Sequence, residues 1–550
     1  MTPFDSHLKR PSKSTAPRPL QAAVVLSVLY LLARLTGLLQ SILISTLLET
    51  KARDAYAAAF DLPDMMNYLV AGGAMSITFI PVFTELIQTG REREAWRFFS
   101  GLATLMGCVL LVLTLFGVLA ADPLMRLTKP GLAHDPAKFS TLQLAITMTQ
   151  VVLPAQIFFY LGGMVVGVLN ANKRFAASGW TGAVYNIVAI AVGVVLLRFV
   201  GPVAFAWGIL IGAIAGNFVL PLWAALSGPP EQRLQYLAEP PHTAWTQPAI
   251  RRFFLNALPI MLGVSLPVVD QVVVGWFASY LHPGALWNLR NGNRVMLAPL
   301  GIVAQAASVA AFPYMASEAA GQDWRKFAGF LRSGLGRLMF LTLPLSVLLI
   351  LIGEPLINLL FAYGKYNEPV ALHETTVAFQ FYCVGLFAWG GQQFVARGFY
   401  ALQDTWTPTV IGSILTIFFF IPLSWAAAQL DGVRGLAFAT SIGATAHFCG
   451  ILIALEAKLR RRRYNIALGT PRIMGTLLRT VVACVPMGLA GLVTNAVAVR
   501  HLADDKLGDV MRLVCVGLVA SLAFALAAQL FAIPDWSWLK AKLLRRRAAR

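Results

Sequence analysis

The chain has 550 residues, 57% of them hydrophobic and 13% charged, with a net charge of +19. A soluble globular chain is nearer half apolar and a quarter charged, so this composition excludes an ordinary soluble enzyme or binding module and indicates a protein of the bilayer. The positive charge does not indicate nucleic acid, because it sits in short loops and tails between apolar stretches, where Lys and Arg orient membrane helices and meet anionic lipid headgroups.

Residues 1–20 form a basic tail with Lys9, Arg10, Lys13 and Arg18. The apolar run from Gln21 to Leu48 is too long for a signal-peptide core and has no prompt small-residue cleavage site, so it reads as the first membrane helix. Further spans are expected at 58–88, 96–120, 142–170, 178–198 and 202–226. The segment 227–249 carries Pro229-Pro230 and Pro240-Pro241 with mixed charge, which suits a surface linker. Spans resume at 250–280, 285–316, 326–352, 372–401, 406–428 and 433–458. A basic loop, 459–472, contains Arg460-Arg461-Arg462-Arg463; two more spans, 473–497 and 508–532, precede a basic tail at 533–550. Several spans exceed the ~20 residues a bilayer requires, which predicts tilting or protrusion. With the N-terminus inside, the inner tails and connections hold 27 Lys and Arg and the outer connections 10. That bias predicts an even number of spans, fourteen, with both termini inside.

The chain also repeats itself. Gly167-Val168-Leu169-Asn170 is echoed by Gly398-Phe399-Tyr400-Ala401, and Gly90 before Trp96-Arg97-Phe98 by Gly321 before Trp324-Arg325-Lys326-Phe327, both 231 positions on; Pro81 and Pro313 are 232 apart. A shared offset at three places predicts a duplication of six spans, both copies starting inside. Transporters built from repeats bind substrate between them near the midplane.

Nothing resembles an enzyme site: there is no phosphate-binding glycine loop, zinc motif or nucleophile elbow, and no cofactor is expected. Cys108, Cys383, Cys449, Cys484 and Cys515 fall in apolar spans without CxxC spacing and read as buried side chains. His447, deep in a span, reads as a hydrogen-bonded packing residue. Gly37, Gly72, Gly73, Gly162 and Gly163 read as close helix contacts or bending points. The informative residues are ionisable groups within or beside spans, since a charge near the bilayer centre costs at least ~2.5 kcal/mol and normally faces protein or a wet cavity. Arg34 lies midway along the first span. Arg290 and Arg294, one helical turn apart in the eighth, share a face. Asp270 lies in the seventh, and Asp54, Asp61 and Asp64 border the second.

Arg34-Leu35-Thr36-Gly37, then Arg53-Asp54-Ala55-Tyr56, Leu62-Pro63-Asp64, Gly73-Ala74 and Phe79-Ile80-Pro81, resembles the opening of the MurJ (MviN) family. Asn293-Arg294 with Pro299-Leu300-Gly301, Tyr363-Gly364-Lys365-Tyr366, and Gly398 through Gln403-Asp404 to Thr407-Pro408 extend the resemblance over most of 20–460. The resemblance implies an all-α polytopic membrane protein with two six-helix lobes, 21–226 and 250–458, and two extra helices, 473–532, forming a groove for a lipid tail. It implies a flippase that moves lipid II, a polyprenyl-diphosphate glycolipid, across the bacterial inner membrane, with cell-wall synthesis proteins as possible partners. Arg34, Asp54 and Arg294 match family residues important for transport. The chain departs from the family at Gln40 and Asn67, each standing where the family has an Arg, and at Gly72, where it has a Glu. Arg290 is then expected to supply part of the missing cavity charge and to bind phosphate with Arg34 and Arg294. Asp270 is a candidate cation ligand, in a sodium site left incomplete because 406–428 contains no Asn or Asp. Three rival readings are a flippase for another polyprenyl-diphosphate glycan, a cation-coupled multidrug exporter of the same superfamily, and a non-transporting scaffold.

Overall fold

The computed structural model describes residues 19–70, 78–228, 230, 233–237, 245–503, 505–537 and 540. Most of both basic tails, much of the 227–249 linker, and Gly72 and Gly73 lie outside the described residues. Among the described residues all regular structure is helical. In the first half the helices are α1 (Pro19–Leu47), α2 (Thr50–Ala59), α3 (Asp61–Val70), α4 (Ile80–Gln88), α5 (Glu92–Leu119), α6 (Ala121–Thr128), α7 (Pro130–His134), α8 (Phe139–Val152), α9 (Ala155–Ala171), α10 (Phe175–Val200), α11 (Ala204–Gly212) and α12 (Leu220–Leu226). In the second half they are α13 (Pro248–Ala278), α14 (Ala285–Leu300), α15 (Ala306–Ala320), α16 (Trp324–Leu351), α17 (Gly353–Phe361), α18 (Pro369–Val384), α19 (Leu386–Ala401), α20 (Trp406–Leu415) and α21 (Ile421–Leu459). The last two, α22 (Thr470–His501) and α23 (Lys506–Leu530), pack on α16 through Met487 and Phe524 against Phe340.

Among the described residues, seven helical stretches are long and apolar enough to cross a membrane. Two of them, Phe175–Leu226 and Trp406–Leu459, run 52 and 54 residues, more than twice the ~20 that one crossing needs. Leu119, Phe199, Phe418 and Leu430 are each more than 70% exposed on the outside of the bundle. Such a surface would drive association in water, and hydrocarbon solvates it. Cys108, Cys449 and Cys515 are also exposed, so only Cys383 and Cys484 are the buried side chains that all five were expected to be.

Two expected boundaries move. The second span, expected from 58, begins at Thr50, because Arg53 and Asp54 lower its hydropathy yet are buried, at 1% and 4% exposure. The connection 121–140, expected as a loop, is mostly the short helices α6 and α7.

The duplication is written into the backbone. The left-handed residues Gly90 and Gln322, Lys173 and Gln403, and Gly201 and Gly432 lie 232, 230 and 231 positions apart. The first two pairs follow helix ends at the same point of the two halves; Gly201 follows the end of α10, and its counterpart Gly432, with Asp431, breaks α21 at a kink. The π-helical segments 213–219, 301–305 and 416–420 adjoin Pro221, Pro299 and Pro422, whose missing N–H interrupts the ordinary ladder. The first brings the Asn217 carbonyl onto Gly162, where any Cβ would overlap it. Nothing lies within 4 Å of a Cβ built at Gly163, so it is no close contact.

Candidate functional site

The two halves meet at the end of the bundle that carries Glu49. There α13 turns into α14 through Gly284, at φ +100°, a left-handed conformation glycine adopts without strain. Asp54, from the first half, accepts hydrogen bonds from the backbone N–H of Gly284 (2.5 Å) and Trp287 (3.0 Å), capping the N-terminus of α14 across the interface. Lys138 donates to the carbonyls of Leu281 (2.5 Å) and Ser279 (3.2 Å), and Trp276 Nε1 to that of Leu127 (3.2 Å). Arg53 lies over the Tyr366 ring, 4.5 Å from its centroid, and Lys365 pairs with Glu49 at 3.3 Å. These contacts hold the Glu49 end shut.

A second seam runs between α1 and α14, which lie antiparallel. Ser45 Oγ accepts from Trp287 Nε1 (2.9 Å) and Asn291 Nδ2 (3.1 Å), Arg294 donates to Ser41 Oγ, and Arg34 Nη1 donates to the Leu297 carbonyl (3.3 Å). Ser41 and Ser45 are one helical turn apart on one face of α1, as are Trp287, Asn291 and Arg294 on α14. The Arg34 guanidinium covers Gly301, where a Cβ would overlap it.

Beside this seam lies a cavity of about 240 Å³. The second half lines it with Asp270, Arg290, Asn293, Gln392, Thr416 and His447, the first half with Ala57, Asp61 and Lys129. Arg290 donates to the Ala57 carbonyl (2.8 Å), sits 5.2 Å from the Phe60 ring centroid, and pairs with Asp64 (3.3 Å) and Asp61 (3.7 Å). Lys129, wholly buried, donates to the other oxygen of Asp61. Asp270 accepts from Thr416 Oγ1 at 3.1 Å, and His447 Nδ1 meets Gln392 Nε2 at 2.9 Å. His447 is thus hydrogen-bonded as expected, and it also faces the cavity.

The expected substrate residues therefore divide. Arg290 lines the cavity, beside Asp270. Arg34 reaches its edge at Leu297, and Arg294 stands in the α1–α14 seam. Asp54 is buried away from the cavity, both its oxygens held by backbone N–H groups, which makes it a cap rather than a group that meets substrate in this state. Gln40 is buried with Nε2 unpartnered, and Asn67 is half-buried on α3; neither lines the cavity. Sequence reasoning missed Lys129, which it placed in an outer connection. The only signal was a lysine directly before Pro130 at a helix junction.

The family model for the lipid II flippase MurJ matches residues 44–504. A relative from Burkholderia cenocepacia named lipid II flippase MurJ is 27% identical over 459 residues, covering 80% of this chain and 84% of its own. The structure of a lipid II flippase MurJ in an inward closed conformation superposes with a TM-score of 0.73 at 21% identity, covering 92% of this chain and 98% of its own. An inward-facing multidrug-resistance MATE transporter of the MOP superfamily matches at 0.63 and 14%, covering 83% and 98%.

Proposed function

The chain belongs to the lipid II flippase MurJ family, and on that premise we propose that it carries lipid II across the bacterial inner membrane by alternating access. The observation that carries this reading is the convergence of cations from both halves, Lys129 and Arg290, on one cavity between them. A diphosphate headgroup needs such a site, because its charge is costly to bring unpaired into low dielectric. Arg34, Arg294 and Arg290 hold the phosphates, the arginine forks matching phosphate oxygens, while the polyprenyl tail stays in lipid along 473–532. The lobes 21–226 and 250–458, joined by 227–249, rock about the cavity. Fourteen spans with both termini inside place the Glu49 end at the periplasm, so the seam there is the outer gate, closed in this structure. Gln40 and Asn67 set the headgroup preference from outside the cavity, Asp270 is a weak cation ligand, and the reaction is transport without catalysis. Anionic lipids around the 459–472 loop and cell-wall synthesis proteins are the further partners.

The test is to deplete the protein in its host and identify, by mass spectrometry, the lipid-linked precursor that accumulates. Inward-facing lipid II supports the proposal. A different polyprenyl-diphosphate glycan would assign the second reading, which the buried, uncharged Gln40 favours; no accumulation of any such lipid would overturn both.

A further inference from the structure

We propose that Lys129 is a phosphate-binding cation of the cavity, held in the closed state by Asp61, so that the outer gate and the substrate compete for the same positive charges. This rests on the reading of the chain as a carrier of a diphosphate lipid.

Lys129 sits at the α6–α7 junction, in non-helical backbone at φ −132°, ψ 59°, which turns its side chain inward from the rim of the bundle. It is 0% exposed and lines the cavity beside Arg290. A buried ammonium is costly, and an apolar residue of similar volume serves packing at least as well, so the charge itself needs a reason. Asp61 does not supply that reason alone. The carboxylate is shared, one oxygen bonded to Lys129 and the other 3.7 Å from Arg290. Asp64 completes the set at 3.3 Å from Arg290.

The cluster thus holds two carboxylates and two cations, a balanced charge. Arg290 meets both carboxylates at distances longer than the ~2.8 Å of a well-formed guanidinium–carboxylate fork, so its partners are exchangeable. A lipid diphosphate brings about two negative charges, the same charge as Asp61 and Asp64 together. When the halves part, Asp61 and Asp64 leave Arg290 while Lys129 stays beside Asp61 on the first half; the phosphates take the carboxylates' place at Arg290 and compete with Asp61 for Lys129, so no cation in the cavity is left unpaired at any stage.

The Lys129–Asp61 pair also marks the interface. It rests on Gly275 of α13, where a Cβ would overlap Lys129 Nζ. Two residues of the first half are therefore seated on a bare backbone of the second, and they separate from it if the gate opens. Lys129 in this role supplies positive charge that Gln40 and Asn67 lack.

The experiment measures binding of undecaprenyl diphosphate and of uncharged undecaprenol to the full-length protein in nanodiscs, by native mass spectrometry. Lys129→Met is expected to weaken diphosphate binding by about 30-fold, and Lys129→Arg to retain most of it. Asp61→Asn is expected to tighten binding by about tenfold by removing the competitor. The double variant Asp61→Asn/Lys129→Met should stay as weak as Lys129→Met. A purely structural ion pair gives the opposite pattern, both single variants impaired and the double variant restored, and that overturns the proposal. If Lys129→Met does not fold, Asp61→Asn decides, since unchanged or weakened binding overturns the idea. A wild-type protein that binds undecaprenol as well as the diphosphate overturns the flippase reading itself. Discrimination that persists undiminished in Lys129→Met overturns only the role of Lys129.

Discussion

The interface between the halves has two parts of different chemistry. Along α1 and α14, and at the Asp54 cap, a fixed donor meets a fixed acceptor: Trp287 and Asn291 on Ser45, and two backbone N–H groups on Asp54. Around the cavity, Asp61, Asp64, Lys129 and Arg290 share partners at mixed distances. Directional bonds between fixed groups set register and orientation, and a shared ion cluster can trade one anion for another without losing its charge balance. The first part therefore positions the closed gate and the second makes it responsive. The comparison fails if removing a positioning bond changes only substrate binding, or if perturbing the ion cluster changes only closure.

Loss of the cap is the largest effect expected. Asp54→Ala strands two buried backbone N–H groups at the start of α14, which costs about 3 kcal/mol, or roughly a hundredfold in the closed-state equilibrium. A cysteine pair replacing Glu49 and Lys365, whose charged side-chain ends meet at 3.3 Å across the same end, reports closure by its rate of crosslinking with a short bifunctional thiol reagent. Crosslinking should fall sharply in Asp54→Ala, and much less in Asp54→Asn, which keeps one acceptor oxygen. Unchanged crosslinking would remove Asp54 from the gate.

Gly275→Val comes next. Its side chain would occupy the space of the Lys129–Asp61 pair, and overpacking of this kind costs about 1–3 kcal/mol. Both closure and diphosphate binding should suffer, because the pair belongs to both. Ser45→Ala is smaller, about 1 kcal/mol, since Trp287 Nε1 and Asn291 Nδ2 lose one acceptor each while the remaining seam persists. It should slow crosslinking modestly and leave diphosphate affinity unchanged; a loss of affinity would break the division between the two parts.

The fold was more legible in the sequence than the site, for physical reasons. Hydropathy and loop charge carry the spans, and the offset that relates Gly90 to Gly321 reappears in the left-handed backbone pairs. Arg53 and Asp54 misled the start of the second span, because hydropathy counts a charge as exposed whether or not its partners bury it. Lys129 was unreadable for the same reason in reverse. In a window it is one more loop cation, and its partner lies 68 residues earlier in the chain. Arg290 could be placed on a face shared with Arg294 by helical spacing alone, but spacing does not show which anion the guanidinium meets. Asp54 matched a family position without revealing that both its oxygens are committed to the backbone of α14.

The smallest effect expected is a pH dependence of the closed gate through His282, in the turn between α13 and α14. His282 Nε2 lies 2.8 Å from a Glu374 oxygen, and the other oxygen accepts from Asn288 Nδ2 of α14 at 2.8 Å. The hydrogen bond to Glu374 raises the His282 pKa above its ordinary value, against a smaller opposing effect of burial, with the Pro283 carbonyl and the charges of Glu374 and Asp54 adding to the rise. The protonated form is thus favoured in the folded protein. Its contribution is fully present below the ordinary histidine value of about 6.5 and is lost as pH rises through the raised value. The turn carries the Gly284 N–H and leads directly into the Trp287 N–H, the two groups that Asp54 caps, so loosening His282 loosens the cap's target. The side chain is 49% exposed, and solvent screens the pair, which keeps the effect small. Crosslinking of the Glu49→Cys/Lys365→Cys pair, corrected for thiolate fraction with a reference dithiol, should decline gently from pH 6 to pH 8 in the otherwise wild-type protein. In His282→Gln, which can still donate to Glu374 but does not titrate in that range, the corrected profile should be flat. A wild-type profile as flat as that of the variant would show that His282 does not contribute to closure.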